Sequence, residues 1–400
     1  MALSREVDDG NDAVSSDPLT EETTTTKRKR LNSSAGTLTF EDSVHATQLP
    51  TLPFEIMIEI LSRLPVKFLM QLRSVCKSWK SLISDPKFAK KHLRVSITRH
   101  HLLLTFPSRS SEIFVTAYLL SSVFTEVTAT TTQLEYPLNN GNRIAQIVDS
   151  CHGILCFSID QRLVLLWNPS IRKFMNLPDN PKQRDSYTIY GFGYTHLSDS
   201  YKVVAVSNYC ESDDTYKTEV KVLTLGTSAW RRIQDFRSGV HFYDSGKFVS
   251  GTVNWLTGRI SSSSRVIVSL DLEKESYQEF LQPDYGGVMT VVTISLGVLR
   301  DCLCILSFSD TFSDVWLMQE YGNKDSWTKL IRVPNMGDVG SRPYAKTLYV
   351  SEDDKVLLKY KYSLVVYNAR DDTFKTLEVQ DNNDWMIPAI YQESLISPCM

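Results

Sequence analysis

The seven cysteines are the residues of this chain best suited to bind a metal or to act as nucleophiles, yet their spacing favours neither role. Their number is odd, no Cys-x-x-Cys pair occurs, and a zinc site needs about four converging ligands. The cysteines are Cys76, Cys151, Cys156, Cys210, Cys302, Cys304 and Cys399. The sequence therefore predicts buried structural cysteines, no metal site and no cofactor.

Motifs of common catalytic sites are also missing. The sequence has no G-x-S-x-G, Walker A or H-E-x-x-H motif, and Gly191-Phe192-Gly193 lacks the third glycine of a dinucleotide-binding fingerprint. The carboxylate pairs Asp213-Asp214, Asp353-Asp354 and Asp371-Asp372 could bind cations, but turns favour Asp for backbone reasons. The sequence therefore predicts a protein that is not an enzyme.

One basic cluster, Lys27-Arg28-Lys29-Arg30, is a further candidate site. Four adjacent cations can form a nuclear import signal or bind phosphate groups, and the alternative is a solvated run of charge. The net charge of -3, from 43 basic and 46 acidic residues, argues against broad binding of nucleic acid. Nucleic acid is therefore not a predicted partner, and the import signal stays a hypothesis.

Residues 1–50, which contain this cluster, are rich in Ser, Thr, Asp and Glu and poor in large apolar residues. Such a stretch cannot bury enough surface to offset its conformational entropy, so we expect a disordered tail. The sequence has no run of about 18 apolar residues, and its first residues lack the apolar core of a signal peptide. We expect no membrane partner and a location in the nucleus, the cytoplasm or both.

Residues 51–95 have a helical pattern of apolar residues. Three successive helices are predicted by the spacing of Ile56, Ile60, Leu61 and Leu64, then of Phe68, Leu69, Leu72 and Val75, and then of Cys76, Trp79, Leu82 and Ile83. Pro53 suits the first position of the first helix, and Pro65 would end it. Asp85-Pro86 resembles an N-cap followed by a first-turn proline, and predicts a fourth short helix through Leu93.

From residue 98 to 396 the pattern changes to short apolar runs separated by polar turns. Examples are Leu163–Trp167, Val266–Val268 and Leu364–Tyr367. Continuous apolar runs of this length suit strands that are covered on both faces. This part of the chain is therefore predicted to be an all-β domain.

An aromatic residue recurs through the β region at a nearly constant interval. The aromatic residues are Phe124, Phe174, Trp230, Tyr277, Trp327 and Phe374, with intervals of 50, 56, 47, 50 and 47 residues, and the first copy is the weakest. A period near 50 with about four strands per unit is typical of a β-propeller blade. The alternative fold is an irregular β-sandwich.

Six such units fit between residues 98 and 396, so the predicted fold class is an α+β multidomain chain. A disordered tail (1–50) precedes a small helical domain (51–95) and a six-bladed β-propeller (98–396). The C-terminal run Ile390–Ile396 could add a strand to the first blade and close the ring.

The helical segment closely resembles an F-box, without a gap, over Leu52 to Ile56, Glu59 to Lys67, Arg73 to Trp79 and Leu82-Ile83. The remainder resembles the F-box-associated domain of plant F-box proteins. The resembling elements are His152-Gly153, Asn168-Pro169, Gly191–Tyr194, Tyr201–Val204, Gly251 with Trp255, Val315–Met318 and Ser326-Trp327. Ala229 stands before Trp230 where that family has a serine. Gly286-Gly287 is the one Gly-Gly doublet, so the kelch-like repeat is not a regular kelch repeat.

This resemblance implies the substrate-recognition subunit of an SCF-type cullin–RING ubiquitin ligase. The helices would bind a Skp-type adaptor, which docks on a cullin whose RING subunit brings the ubiquitin-charged conjugating enzyme. The β domain would hold a protein substrate for ubiquitination and degradation. Catalysis would then lie on other subunits.

The helical segment carries more apolar side chains than short helices can cover, and an exposed apolar patch implies a partner surface. The residues assigned to adaptor binding are Leu52, Pro53, Ile56, Ile60, Leu61, Leu64, Pro65, Val66, Leu69, Val75, Cys76, Trp79 and Leu82. Leu61 and Leu64 are expected to be essential for this binding and dispensable for folding of the β domain. The alternative is a small core against the β domain, and Trp79 and Leu82 suit both roles.

Two other classes of function stay open. One is a non-catalytic nuclear interaction scaffold. The other is a propeller lectin or enzyme, which would need a polar cluster at one mouth of the ring. Neither explains the helical apolar segment. The contacts with an unknown substrate are expected in polar connections such as Cys210–Lys217, Arg259–Arg265 and Asn335–Arg342.

Overall fold

The computed structural model describes residues 52–95, 99–107, 113–125, 131–135, 137, 145–180, 186–212, 215–236, 240–242, 244–259, 265–286, 293–336, 345–379 and 386–399. Residues 52–400 form one compact unit. The predicted tail with its basic cluster, Asp213-Asp214 and Gly287 lie outside the described residues. None of the described helices is long and apolar enough to cross a membrane.

Four helices open the described chain, as predicted. They are α1 (Phe54–Ser62), α2 (Val66–Leu72), α3 (Lys77–Ser84) and α4 (Pro86–Val95). Pro53 is the residue before α1 rather than its first residue. Asp85 caps α4 as predicted, because its side chain accepts a hydrogen bond of 2.8 Å from the N–H of Lys87. Val75 lies beyond the end of α2.

The first three blades follow. Blade I begins with β1 (His100–Pro107) and β2 (Ile113–Leu119), then a short helix α5 (Leu120–Thr125), and ends with β3 (Thr131–Leu134). Blade II contains β4 (Ala145–Cys151), β5 (Ile154–Ile159), β6 (Leu163–Asn168) and β7 (Lys173–Asn176). Blade III contains β8 (Ser186–Thr195), β9 (Ser200–Ser212), β10 (Thr215–Thr224) and β11 (Arg231–Arg232).

The remaining strands form three more antiparallel sheets. Blade IV contains β12 (Val240–Phe242) and β13 (Lys247–Val249), which both pair with β14 (Thr252–Arg259), followed by β15 (Arg265–Asp271) and β16 (Tyr277–Phe280). Blade V contains β17 (Thr293–Leu299), β18 (Cys302–Phe308), β19 (Phe312–Met318) and β20 (Trp327–Pro334). Blade VI contains β21 (Ala345–Val350), β22 (Lys355–Tyr360), β23 (Ser363–Asn368) and β24 (Thr373–Thr376). The six-bladed propeller predicted from the repeat is confirmed.

The ring is closed by the C-terminal strand, β25 (Ile387–Gln392), which pairs antiparallel with β1 and completes blade I. His101 stands opposite Tyr391, and Leu103 opposite Ala389. The predicted closure is therefore correct, although the strand starts three residues before Ile390. This pairing builds blade I from both the first and the last strand of the ring.

Hydrogen bonds between blades explain the aromatic repeat. Trp230 Nε1 of blade III donates to the carbonyl of Pro178, just after blade II, at 2.8 Å. Trp327 Nε1 of blade V donates to the carbonyl of Leu281, just after blade IV, at 3.1 Å. The Tyr277 hydroxyl of blade IV donates in the same way to Gln234. These three aromatic residues thus join their blades to the preceding ones, whereas Phe174 and Phe374 have no polar hydrogen to donate, and Phe374 packs on Tyr367 of its own blade.

Two details differ from the sequence-based expectation. The other aromatic residues of the repeat lie in or next to the outer strand of their blade, whereas Phe124 lies in helix α5. The first copy of the repeat, which is the weakest in the sequence, therefore differs from the others in structure. The connection Cys210–Lys217 is mostly strand, because β9 runs to Ser212 and β10 starts at Thr215.

Gly191 and Gly193 lie in β8, where they allow blade III to pack closely on blade IV. A Cβ atom at Gly191 would overlap Val253, and one at Gly193 would overlap Phe248. The Gly-Phe-Gly sequence is therefore explained by packing between blades rather than by phosphate binding.

The residues after β25 are fixed by a hydrogen-bonded latch on blade II. The buried side-chain amide of Asn168 donates to the carbonyl of Ser394 at 3.1 Å and to that of Ile396 at 2.8 Å. The Ser394 hydroxyl donates to the carbonyl of His152 at 2.7 Å. A side chain at Gly153 would overlap Ser394, so this turn needs glycine both for space and for its φ of +79°.

We expect Asn168→Ala to lower the free energy of unfolding by about 2–4 kcal/mol, because it leaves buried carbonyls without their donor. Calorimetry and urea titration would measure the loss. Asn176→Ala, an exposed asparagine on the adjacent strand β7, is the matched control and should change stability by less than about 0.5 kcal/mol. Equal stability of the two variants would show that the latch does not hold the ring.

Candidate functional site

The four helices form a layer on the propeller, and one face of that layer is part of the protein core. Leu61, Val66 and Leu69 are at most 3% exposed and share a cluster with Tyr194 and Leu395 of the propeller side. Burial of an aliphatic side chain of this size contributes about 2 kcal/mol. The helical segment is therefore fastened to the β domain by its own apolar residues.

A second set of apolar side chains faces away from this core. Ile56 and Ile60 are each 49% exposed and lie on the same side of α1, because they are four residues apart. Phe68 on α2 is 51% exposed, and Val75 after α2 is 64% exposed. Such a concentration on one short segment marks an interaction surface.

The exposed set is dense in comparison with the rest of the described chain. Of the fourteen large apolar residues that are exposed among the described residues, six lie between Leu52 and Val75. These six, which we call the apolar helix face, are Leu52, Phe54, Ile56, Ile60, Phe68 and Val75.

A carboxylate from the end of the chain caps helix α2. Glu393 Oε1 accepts a hydrogen bond of 2.7 Å from the N–H of Val66, the first residue of that helix. This N–H has no partner inside the helix, and the helix dipole favours a negative charge there. Burial raises the pKa of Glu393, while the N–H of Val66 and the charge of Arg99 act in the opposite direction.

Further polar contacts join the helices to one another and to the propeller. His92 Nε2 lies 2.8 Å from the carbonyl of Leu64, and Gln392 Nε2 donates to the carbonyl of Leu93 at 3.2 Å. Lys90 of α4 forms an ion pair of 2.5 Å with Asp199, which follows β8. Both charged groups of that pair are largely exposed, so it contributes little to stability.

His152 lies in the turn after β4, at the same end of the ring. Its Nδ1 lies at a hydrogen-bonding distance of 3.0 Å from the Tyr201 hydroxyl, and its ring contacts Tyr194 edge-on. Burial lowers the pKa of His152 to about 4, helped by the nearby charges of His196 and Lys90. The imidazole is therefore neutral in the folded protein at neutral pH.

The structure divides the residues that were assigned to adaptor binding. The exposed members are Leu52, Pro53, Ile56, Ile60, Val75 and Cys76, and the partly buried members are Leu64, Pro65, Trp79 and Leu82. Leu61, Val66 and Leu69 are in the core, so they cannot contact a partner in this arrangement. Leu61 lies in the core shared with the propeller and Leu64 packs against it, so we expect both to contribute to folding. Their role in adaptor binding stays a prediction.

Trp79 has an internal role. Its Nε1 lies 3.1 Å from Met57 Sδ, which joins α3 to α1. The predicted set also omits Phe54 and Phe68, which the structure exposes. Hydrophobicity alone could have suggested them, but no sequence signal separates the exposed side of such a helix from the buried side.

No group of three or more His, Cys, Asp or Glu residues within the described ranges is arranged to hold a metal ion. Burial raises the pKa values of the Cys151 and Cys156 thiols, which disfavours the reactive thiolate. The pairs Asp353-Asp354 and Asp371-Asp372 lie in turns, where Asp354 and Asp372 have positive φ angles.

Two protein families match this chain. The F-box domain matches residues 49–91, and the F-box associated beta propeller domain matches residues 104–398. Both matches agree with the helices and the ring described above.

Relatives from Arabidopsis thaliana match most of the chain. An F-box/kelch-repeat protein is 32% identical over 87% of this chain and 96% of its own length. The F-box protein CPR1 is 29% identical over 87% of this chain and 88% of its own. Among solved structures, a mutant of Aleuria aurantia lectin covers 72% of this chain and 96% of its own with 9% identity and a TM-score of 0.40, a likeness that carries no functional argument.

Acid is expected to destabilise the folded protein through His152, whose ring packs against Tyr194 and Tyr201. Because the pKa of His152 is lower in the folded protein, the unfolded chain takes up the proton at a higher pH. The free energy of unfolding is therefore unaffected above about pH 6.5 and decreases as the pH falls towards 4. Asparagine tolerates the positive φ of this position. Between pH 7 and pH 5, the free energy of unfolding of His152→Asn should therefore fall by about 1–2 kcal/mol less than that of the unmodified protein. Thermal melts at several pH values would measure this.

The exposed His196→Asn is the comparison variant and should change the pH dependence only slightly, because burial, and not the charge of His196, is the largest cause of the lowered pKa of His152. Glu393 acts in the opposite sense, because a raised pKa favours the folded state as the pH falls. An unchanged pH profile in His152→Asn would contradict the assignment.

Proposed function

The chain belongs to the plant F-box proteins that carry an F-box-associated β-propeller domain, and from this premise we propose that it is the substrate-recognition subunit of an SCF-type cullin–RING ubiquitin ligase. An F-box domain in general implies binding to a Skp-type adaptor. The propeller would hold a protein substrate, which would then be ubiquitinated and degraded.

The apolar helix face is the observation that carries this proposal. Its side chains have no role in the core, because the opposite side of the same helices already packs on the propeller. Exposing them costs solubility unless a partner covers them. Aromatic and aliphatic anchors such as Phe68 and Ile60 are the kind that supply affinity in a buried interface.

The attachment of the helices supports a positioning mechanism. Ubiquitin transfer would occur on the RING-bound conjugating enzyme, and this chain would act by holding the substrate near it. Such proximity raises the effective concentration of substrate lysines. The cap of Glu393 on α2 and the shared apolar core would keep the substrate domain at a fixed orientation to the adaptor.

Substrate binding is inferred for the end of the ring opposite the helices. The helices lie near Glu393, His152 and Asp199, which all follow the last residues of inner strands. The other end, where the inner strands begin, is free of them. Of the candidate substrate connections, residues 260–264 and 337–342 lie outside the described residues.

We expect Ile56→Asp combined with Ile60→Asp to weaken adaptor binding at least about 100-fold, because two anchors become charged at an interface. Both residues are half exposed, so the propeller should stay folded. Pull-down and calorimetric titration with a purified Skp-type adaptor would measure binding, and circular dichroism would check folding.

Leu281→Asp is the matched control, since it adds a charge at an equally exposed leucine in the propeller, and it should bind like the unmodified chain. Leu61→Asp should instead lower the melting temperature, because it buries a carboxylate without a partner. Full adaptor binding by the double variant would refute the assigned surface. Failure of the unmodified, folded chain to bind any Skp-type adaptor would refute the ligase role.

Nuclear import through Lys27 to Arg30 stays a proposal. Replacing these four residues by alanine should shift a fluorescent fusion of the full chain from nucleus to cytoplasm, because an import receptor reads adjacent cations. The adjacent run Thr23 to Thr26, replaced by alanine, is the control. An unchanged distribution would show that the cluster is only a solvated charge run.

A further inference from the structure

The centre of the propeller contains a cavity of about 570 Å³, lined by residues of all six blades. This volume is within the usual range for small-molecule sites of about 300–1,000 Å³. The cavity is formed where the inner strands converge, so its lining is a consequence of ring closure. Its chemistry, by contrast, is a property of the residues that this sequence places there.

Three lysines line the cavity: Lys247 after β12, Lys346 at the start of β21 and Lys359 on β22. Lys346 and Lys359 stand directly opposite each other in the β21–β22 pair. Like charges in directly opposed positions destabilise a sheet unless another charge offsets them. Two ammonium groups on one wall of a closed channel are therefore an unfavourable feature for folding alone.

The described carboxylates compensate only part of this charge. Lys247 Nζ lies 3.5 Å from Asp149 Oδ1 and donates to the carbonyl of Val148 at 3.1 Å. The other oxygen of Asp149 is already engaged, since it accepts the N–H of Phe248 at 2.9 Å. Asp244 and Asp301 also line the cavity, but both are exposed to solvent.

The other two lysines have no carboxylate partner within the described part of the chain. Lys359 Nζ donates at 2.7 Å to the carbonyl of Met386, which is a neutral group. No hydrogen bond or ion pair joins Lys346 Nζ to another described residue. The positive charge of Lys247 and burial lower the pKa of Lys346 to about 8, although the charges of Asp244 and Asp149 act in the opposite direction. Its ammonium form therefore prevails at neutral pH but is unfavourable.

We propose that the central channel is a binding site for a small polyanion, held by Lys346, Lys359 and Lys247. The ligand class is a phosphorylated or polycarboxylated small molecule, because ammonium groups act as point charges that bind either group. Arg300 also lines the cavity, but its guanidinium pairs with Asp354 at 3.0 Å, so it is not counted among the ligand-binding groups. This site is independent of the adaptor surface and does not rest on the ligase role.

The site also accounts for the position of the lysines. A bound polyanion would offset the repulsion between Lys346 and Lys359 and would fill a channel that otherwise holds uncompensated charge. Anything that binds the folded state alone stabilises it by mass action. The inner strands of all six blades meet at this cavity, so the stabilisation would act on the whole ring.

The test uses the full chain, with pyrophosphate, inorganic phosphate and citrate as probes in a low-salt buffer. Melting temperature and calorimetric titration are measured for the unmodified protein, for Lys346→Met and for Lys173→Met. Lys173 is an exposed lysine on the outer strand β7 and serves as the matched control for loss of one charge. Tighter binding of the phosphates than of citrate would indicate a phosphorylated ligand, and the reverse a polycarboxylate.

Without an anion, Lys346→Met is expected to melt at a higher temperature than the unmodified protein, because an uncompensated charge is removed. Pyrophosphate should raise the melting temperature of the unmodified protein and of Lys173→Met. Its dissociation constant should increase at least about tenfold in Lys346→Met, as expected for loss of one charged contact. Absence of saturable binding, or equal responses of the two lysine variants, would overturn the proposal.

Discussion

The C-terminal segment 387–396 is the constraint on which the rest of this molecule depends. Its strand β25 closes blade I, its buried Ser394 is fixed by Asn168 of blade II, and its Glu393 caps helix α2. Ring closure and attachment of the helices are thus performed by the same ten residues. The Glu393 carboxylate is held in place only when β25 is paired in blade I. Attachment of the helical layer therefore depends on closure of the ring.

This arrangement gives the helical segment two different surfaces. The core side is set by the propeller, which supplies Tyr194, Tyr201 and Leu395 to the shared cluster. The apolar helix face is what remains after that packing is satisfied. The same short segment can therefore be part of a folded domain and still present anchors to a partner, which a free bundle of three short helices could not do.

The inner strands show a different compromise. The six blades converge on a central channel. Charged side chains that line such a channel are more stable when opposite charges offset them. Here opposed lysines with a neutral carbonyl partner occupy one wall. Local features that lower the stability of the isolated fold are expected mainly at functional positions.

The sequence by itself determined much of the architecture. The aromatic interval of about 50 residues reflects one aromatic side chain in or next to the outer strand of blades II to VI, so the repeat can be recognised in the sequence. The helix pattern, the cap at Asp85 and the closing strand were visible for the same reason, because each depends on residues that are close in the chain or on a simple period. The division of the apolar residues into core and exposed face was not visible.

Only the tertiary structure decided that Leu61, Val66 and Leu69 belong to the core while Ile56, Ile60 and Phe68 face solvent. Helices that are apolar on several sides contain no local signal for which side meets their own domain. The choice is made by contacts such as that between Val66 and Glu393, which are 327 residues apart. The channel lysines were missed for the same reason, since residues from blades IV and VI become neighbours only when the ring closes.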